Sequence, residues 1–117
     1  MSPEKLSLNI RQSLAKHDVE LWLSSASLWE FLLLVEKDRI ELFMDPQRWI
    51  DDALLSLPTR EAPLTHDIAR LSHGLLPDHK DPADRFLAAT AKTHDLTLLT
   101  ADGVLLAAKG FKTMSAV

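Results

Sequence analysis

The stretch DPADRFLAATAKTHDLTLLTAD, residues 81–102, limits the fold more than any other part of the chain. Asp81 before Pro82 has the form of an N-cap with proline opening the helix. The alanine-rich segment that follows predicts a helix over 82–94, and the aliphatic run LTLL (96–99) predicts a buried strand. Such a helix rises about 20 Å, and a strand of five or six residues spans roughly 17–20 Å. Each helix therefore runs back along one strand, and the next strand returns to the same edge. Units of this kind imply parallel pairing and right-handed crossovers.

The rest of the chain repeats the alternation. Leu6, Ile10 and Leu14 share a helical face and predict a helix over 6–16, with a short strand through Leu6, Leu8 and Ile10 as the minority reading. VELWLS (19–24) reads as a strand. Ser27 and Glu30 have the spacing of a capping box, opening a helix through about Lys37. That helix is apolar nearly all round, which predicts burial on several sides, by core, with a partner as a further open option. DPQR (45–48) starts another helix, with Ile50, Ala53, Leu54 and Leu57 as its stripe. EAPLT (61–65) reads as an edge strand, because Pro63 cannot donate to a ladder. A helix over 65–73 is capped by Thr65 and ended by Gly74 and Pro77. After the strand at 96–99 come a loop through Gly103 and a last strand near Phe111–Met114. The reading is one domain over 1–117, an α/β protein built as a three-layer α/β/α sandwich around a mainly parallel sheet.

Composition excludes several functions. At 117 residues, 46% apolar and 26% charged, the chain is an ordinary globular domain. It has no cysteine, hence no disulfide framework and no thiolate metal site, as suits a reducing cytoplasm. No apolar run approaches the roughly 20 residues of a membrane span, and no basic-then-apolar leader opens the chain. A net charge of −4 disfavours extended nucleic-acid binding, which depends on neutralising many phosphates. It leaves open a local contact made through a metal ion.

The predicted order of elements assigns the acids a common address. Glu30 follows the strand 19–24, Asp84 lies in the first turn of the helix 82–94, and Asp102 follows the strand 96–99. All three fall at the carboxyl edge of a parallel sheet, where open α/β sheets bind ligands. Carboxylates about 5 Å apart repel by about 3 kcal/mol per pair at an effective dielectric near 20. A divalent cation relieves that repulsion, and oxygen-only donors favour Mg²⁺ or Mn²⁺ over Zn²⁺. Each acid also has a plain structural use. Asp81 can be a cap, Asp84 a complement to the helix dipole, Glu30 the second half of a capping box, and Asp102 a turn residue in TADG.

SSASLWEFLLLVEKDRIEL and DPADRFLAATAKTHDLTLLTAD, with the spacing between them, resemble the PIN-domain family, and within it the VapC-type toxins of bacterial toxin–antitoxin pairs. The resemblance runs from about Glu4 to Val117. It implies a metal-dependent ribonuclease whose acids hold Mg²⁺ or Mn²⁺, a cognate antitoxin, an RNA substrate and a homodimer. Position by position, Glu30 takes the place of the family's Glu in its WE helix start, Asp84 of the Asp before the AA-x-A helix, and Asp102 of the Asp after L-x-T. Thr100 matches the small hydroxyl residue beside that Asp. Asp81 matches the first acid of a DP-x-DR variant, and Arg85, which accompanies it, is placed to meet a phosphate or a neighbouring acid. The family's first strand, with its Asp-Thr pair, has no counterpart here. The expectation is an N-terminally shortened member with metal binding retained and full turnover impaired; a degenerate member and a strand supplied by a partner chain are the alternatives.

Two other readings stand beside it. The first is a non-catalytic module for dimerisation or antitoxin capture, in which the apolar helix and Trp22, Trp29 and Trp49 line grooves rather than core. The second takes the pairs His17-Asp18, His66-Asp67 and His94-Asp95 for a helical His-Asp phosphohydrolase. The predicted strands and the scattered positions argue against it and make these histidines surface or helix-end residues.

Overall fold

The computed structural model describes residues 20–77 and 79–116. The helix expected over 6–16 and the start of the strand expected over 19–24 lie outside the described residues. Strand β1 (Trp22–Ser24) passes without a linker into helix α1 (Ser25–Glu36). Ser24 is both the last strand residue and the N-cap, its Oγ accepting from the Ala26 N–H at 3.1 Å. The cap is therefore not Ser27. Ser24 is already extended and offers its hydroxyl to the first turn, so the helix starts at Ser25, three residues earlier than a Ser27 cap would place it. Glu30 consequently falls in the second turn, out of reach of the helix start.

The following elements are α2 (Pro46–Ser56), β2 (Arg60–Ala62), α3 (His66–Leu75) and α4 (Pro82–Thr93). Their caps are those the sequence announces. Asp45 accepts from the Arg48 N–H, Thr65 from Ile68 and Asp81 from Ala83, at 3.2, 3.2 and 3.0 Å. Strand β2 stops before Pro63. Gly74 does not end α3 but lies in its last turn. The helix stops because Leu76 precedes Pro77, whose ring disfavours helical backbone at the residue before it.

Strand β3 (Thr97–Thr100), α5 (Gly103–Ala107) and β4 (Lys112–Ser115) complete the described chain. Helix α5 replaces the expected loop. Asp102 caps it by accepting from the N–H groups of Val104 and Leu105, at 2.8 and 3.4 Å, and Leu105 is enclosed in the core. Helices α1 and α4 end alike. Asp38 and Asp95 take left-handed backbone (φ 56° and 52°). Around them Arg39 N–H reaches the Leu34 carbonyl at 2.9 Å, and Leu96 N–H the Ala91 carbonyl at 2.8 Å. Both are Schellman turns with Asp where glycine is commonest. Asp95 is thus a helix terminator.

The α/β class and the parallel pairing agree with the sequence reading. Among the described residues the strands form two parallel pairs, β1 with β2 (Trp22 opposite Arg60) and β3 with β4 (Thr97 opposite Lys112). Helices α1 and α3 and strand β3 all pack on α4. The buried face of α4 is small: Ala83, Ala88, Ala89, Thr90 and Ala91. Ile68 and Leu105 are the largest fully enclosed side chains. Helix α1 is less buried than its composition predicts. Only Ala26 and Phe31 are enclosed, Leu28 and 32–35 are half-buried, and Trp29 is 51% exposed. Phe31 stacks on Trp49 with centroids 4.5 Å apart, and Trp22 lies 5.3 Å from the His94 ring.

Shortening Ile68 or Leu105 to Ala should lower the unfolding free energy by about 2–5 kcal/mol each. Leu55→Ala, at an exposed position, should change it by less than about 0.5 kcal/mol. Urea denaturation of the three variants beside the parent measures both.

Candidate metal centre

The site is assembled where three element ends meet. The start of α4 brings Asp81 and Asp84, the packing of α1 on α4 brings Glu30 beside them, and the end of β3 brings Asp102. Asp95 is at the opposite end of β3. There it pairs with Lys112 at 3.0 Å, in solvent.

Asp84 is the centre of the group. Its Oδ2 accepts a hydrogen bond from His79 Nε2 at 2.7 Å, and both side chains are largely covered, with 15% and 17% exposure. Ligand atoms of His79, Asp84 and Asp102 all lie within 4.8 Å of one another. Asp102 is exposed but held. Its backbone N–H donates to Thr100 Oγ1 at 3.1 Å, while its carboxylate caps α5. Thr100 is buried, so the hydroxyl that orients Asp102 is itself fixed.

The electrostatics are those of crowded like charges. Burial pushes the Glu30 carboxyl above its ordinary 4.5. The charges of Asp81 and Asp84 push it the same way, and so does a hydrogen bond shared with Asp81. Burial also raises Asp84 above 3.8, with the charges of Asp81 and Asp102 adding to it. The hydrogen bond and charge of His79 oppose the rise without cancelling it. The cluster has more negative charge than its surroundings neutralise.

Glu30, Asp84 and Asp102, expected at one edge from their order in the chain, are brought into one neighbourhood, and Asp81, expected as a cap, lies beside them. Arg85 forms no ion pair with an acid among the described residues. Its Nε donates to the Leu76 carbonyl at 3.2 Å and its Nη2 to the Pro77 carbonyl at 3.1 Å. It pins the segment after α3 onto α4, because a guanidinium fork suits two neighbouring carbonyls. His79, whose N–H reaches the Leu76 carbonyl at 3.1 Å, is carried by that pinned segment. The sequence reading missed His79. A single histidine in a polar connection has no partner spacing to mark it, and the only available signal was its place five residues before Asp84. The other described histidines, His66, His73 and His94, are exposed, in keeping with surface and helix-end roles.

A family model for the PIN domain matches residues 1–111. Ribonuclease VapC22 of Mycobacterium tuberculosis (strain ATCC 25618 / H37Rv) is 32% identical over 101 residues, which are 86% of this chain and 75% of that protein.

Because the Glu30 carboxyl titrates higher in the folded chain than in the unfolded one, its favourable contribution is complete below about pH 4.5. It is lost as pH rises through the raised folded value. Glu30→Gln should therefore raise the melting temperature at pH 7 in the presence of a chelator, and give no gain near pH 4. Thermal denaturation of parent and variant at the two pH values checks the sign.

Proposed function

Since the chain belongs to the PIN-domain family, we propose that it is a divalent-metal-dependent ribonuclease of the VapC toxin type, hydrolysing RNA phosphodiesters. The observation that carries this reading is the convergence of Asp84 and Asp102 at the ends of α4 and β3, with Glu30 alongside. The donor chemistry fits the implied ion. Hard carboxylate oxygens, in the absence of any cysteine, suit Mg²⁺ or Mn²⁺. Glu30, Asp84 and Asp102 would hold it. Bound there, such a cation supplies Lewis-acid stabilisation of the negative charge that develops on a phosphodiester.

The chain's own groups divide the remaining work. Thr100 fixes Asp102 and Asp81 starts the helix that presents Asp84. Glu30, beside Asp81 and Asp84, is one of the three acids that could also orient an attacking water. The formal charge of −4 makes the contact with RNA local to the acid cluster, since phosphate neutralisation along an extended face needs a basic surface. Lys80, exposed and adjacent to the cap of α4, would add one phosphate contact. The setting that provides such a substrate is the cytoplasm; among the described residues no helix is long and apolar enough to cross a membrane.

A second reading keeps the fold without the chemistry, as a module for dimerisation or antitoxin capture. The half-exposed apolar helix α1, with Trp29 open to solvent, favours it. So does the groove between α1, α2 and β2, lined by Leu23, Leu28, Leu54 and Pro58.

Cleavage of a fluorescent RNA by the purified chain with Mg²⁺ or Mn²⁺ is the test. EDTA should abolish it, and Asp84→Asn and Asp102→Asn should each lower it about 100-fold or more, equivalent to about 2.7 kcal/mol or more of transition-state stabilisation. Cleavage that survives the chelator and both substitutions sinks the metal-nuclease reading. Partner binding that ignores the chelator, from a chain that binds no metal and cuts no RNA, selects the second.

A further inference from the structure

We infer that His79 is itself a ligand of the divalent cation, through Nε2, and that this nitrogen donor makes the site prefer Mn²⁺ over Mg²⁺. The inference rests on the metal-binding reading above and extends it, because carboxylates alone suit both ions.

Placement is the first argument. A ring nitrogen of His79 is as central as the acids, within 4.8 Å of ligand oxygens of both Asp84 and Asp102, and Nε2 is the one that meets Asp84. Ligands of an octahedral ion at about 2.1 Å lie about 3.0 Å apart when adjacent and about 4.2 Å apart when opposite. The 2.7 Å separation of His79 Nε2 and Asp84 Oδ2 is close to the adjacent spacing. The widest separation of the group exceeds the opposite spacing only slightly. Small side-chain rotations suffice to bring all three onto one ion.

Rigidity is the second argument. The His79 N–H is bonded to the Leu76 carbonyl, and Arg85 holds that carbonyl and the next one against α4. The ring is largely covered, so it cannot swing freely into solvent. The third argument is chemical. A cation at Nε2 takes the place of the proton that this nitrogen shares with Asp84 in the metal-free site; the imidazole then keeps its one ring proton on Nδ1 and presents the Nε2 lone pair. Mg²⁺ keeps to oxygen and retains water, whereas imidazole gains in strength along the first-row series that Mn²⁺ begins.

Pulsed electron paramagnetic resonance of the Mn²⁺-loaded chain reads the ligand directly. The expected result is ¹⁴N coupling to bound Mn²⁺ that changes to a ¹⁵N pattern when the chain carries ¹⁵N-histidine, and that vanishes in His79→Gln. Calorimetry should show His79→Gln weakening Mn²⁺ by about tenfold or more and Mg²⁺ by less than about threefold. Bound Mn²⁺ without nitrogen coupling in the unsubstituted chain would overturn the inference and leave His79 as a hydrogen-bond support for Asp84, with the metal site intact. No saturable Mn²⁺ binding at all would overturn both this and the metal-binding reading. The isotope experiment requires no substitution, so it decides even if His79→Gln fails to fold.

Discussion

Helix α4 packs on α1, α3 and β3 through a face of alanines, and the site exists because that contact is close. Small side chains let helix backbones approach one another, and a larger residue at Ala88 or Ala89 would have to displace a neighbour. The same approach that closes the core sets the start of α4 beside the second turn of α1, and so sets Asp81 and Asp84 beside Glu30. The segment carrying His79 is then fastened to α4 by Arg85. Core and site are two consequences of one packing decision.

That arrangement works against the stability of the fold. Two carboxyls are held above their ordinary values chiefly by burial, with like charges adding to it. A chain selected for stability alone would separate such groups or pair them with cations. Here Arg85, close to the cluster, faces carbonyls instead of the acids. His79 alone among the described residues gives a hydrogen bond to the central acid. Carboxyls perturbed in this way cluster at functional sites.

Much of this was legible in the sequence, and for physical reasons. Asp45, Thr65 and Asp81 announce helix starts because a cap is a local interaction, decided by a residue and the next few N–H groups. The common address of Glu30, Asp84 and Asp102 follows from the alternation of helix and strand, which needs no knowledge of side-chain contacts. What escaped was non-local or degenerate. Three serines within four positions could each cap α1, and the choice of Ser24 depended on where β1 ended. Helix α5 is too short to show a period, and only the doubled use of Asp102 as its cap betrays it. His79 and Arg85 act through contacts with a connecting segment, and no spacing rule encodes them. For the apolar helix α1, composition does not say which faces meet core and which a second molecule.

The junction of β1 and α1 has one more consequence. Ser24 belongs to both elements, so nothing flexible separates the strand that anchors the sheet from the helix that carries Glu30. One residue inserted or deleted there would rotate α1 by about 100° about its axis and carry Glu30 away from Asp84, whatever residue was chosen. Length at that point is as strongly constrained as identity at the acids. The stretch between α1 and α2 has no such duty, so lineages of this protein should vary in length after Lys37 and keep a fixed count through Ser24.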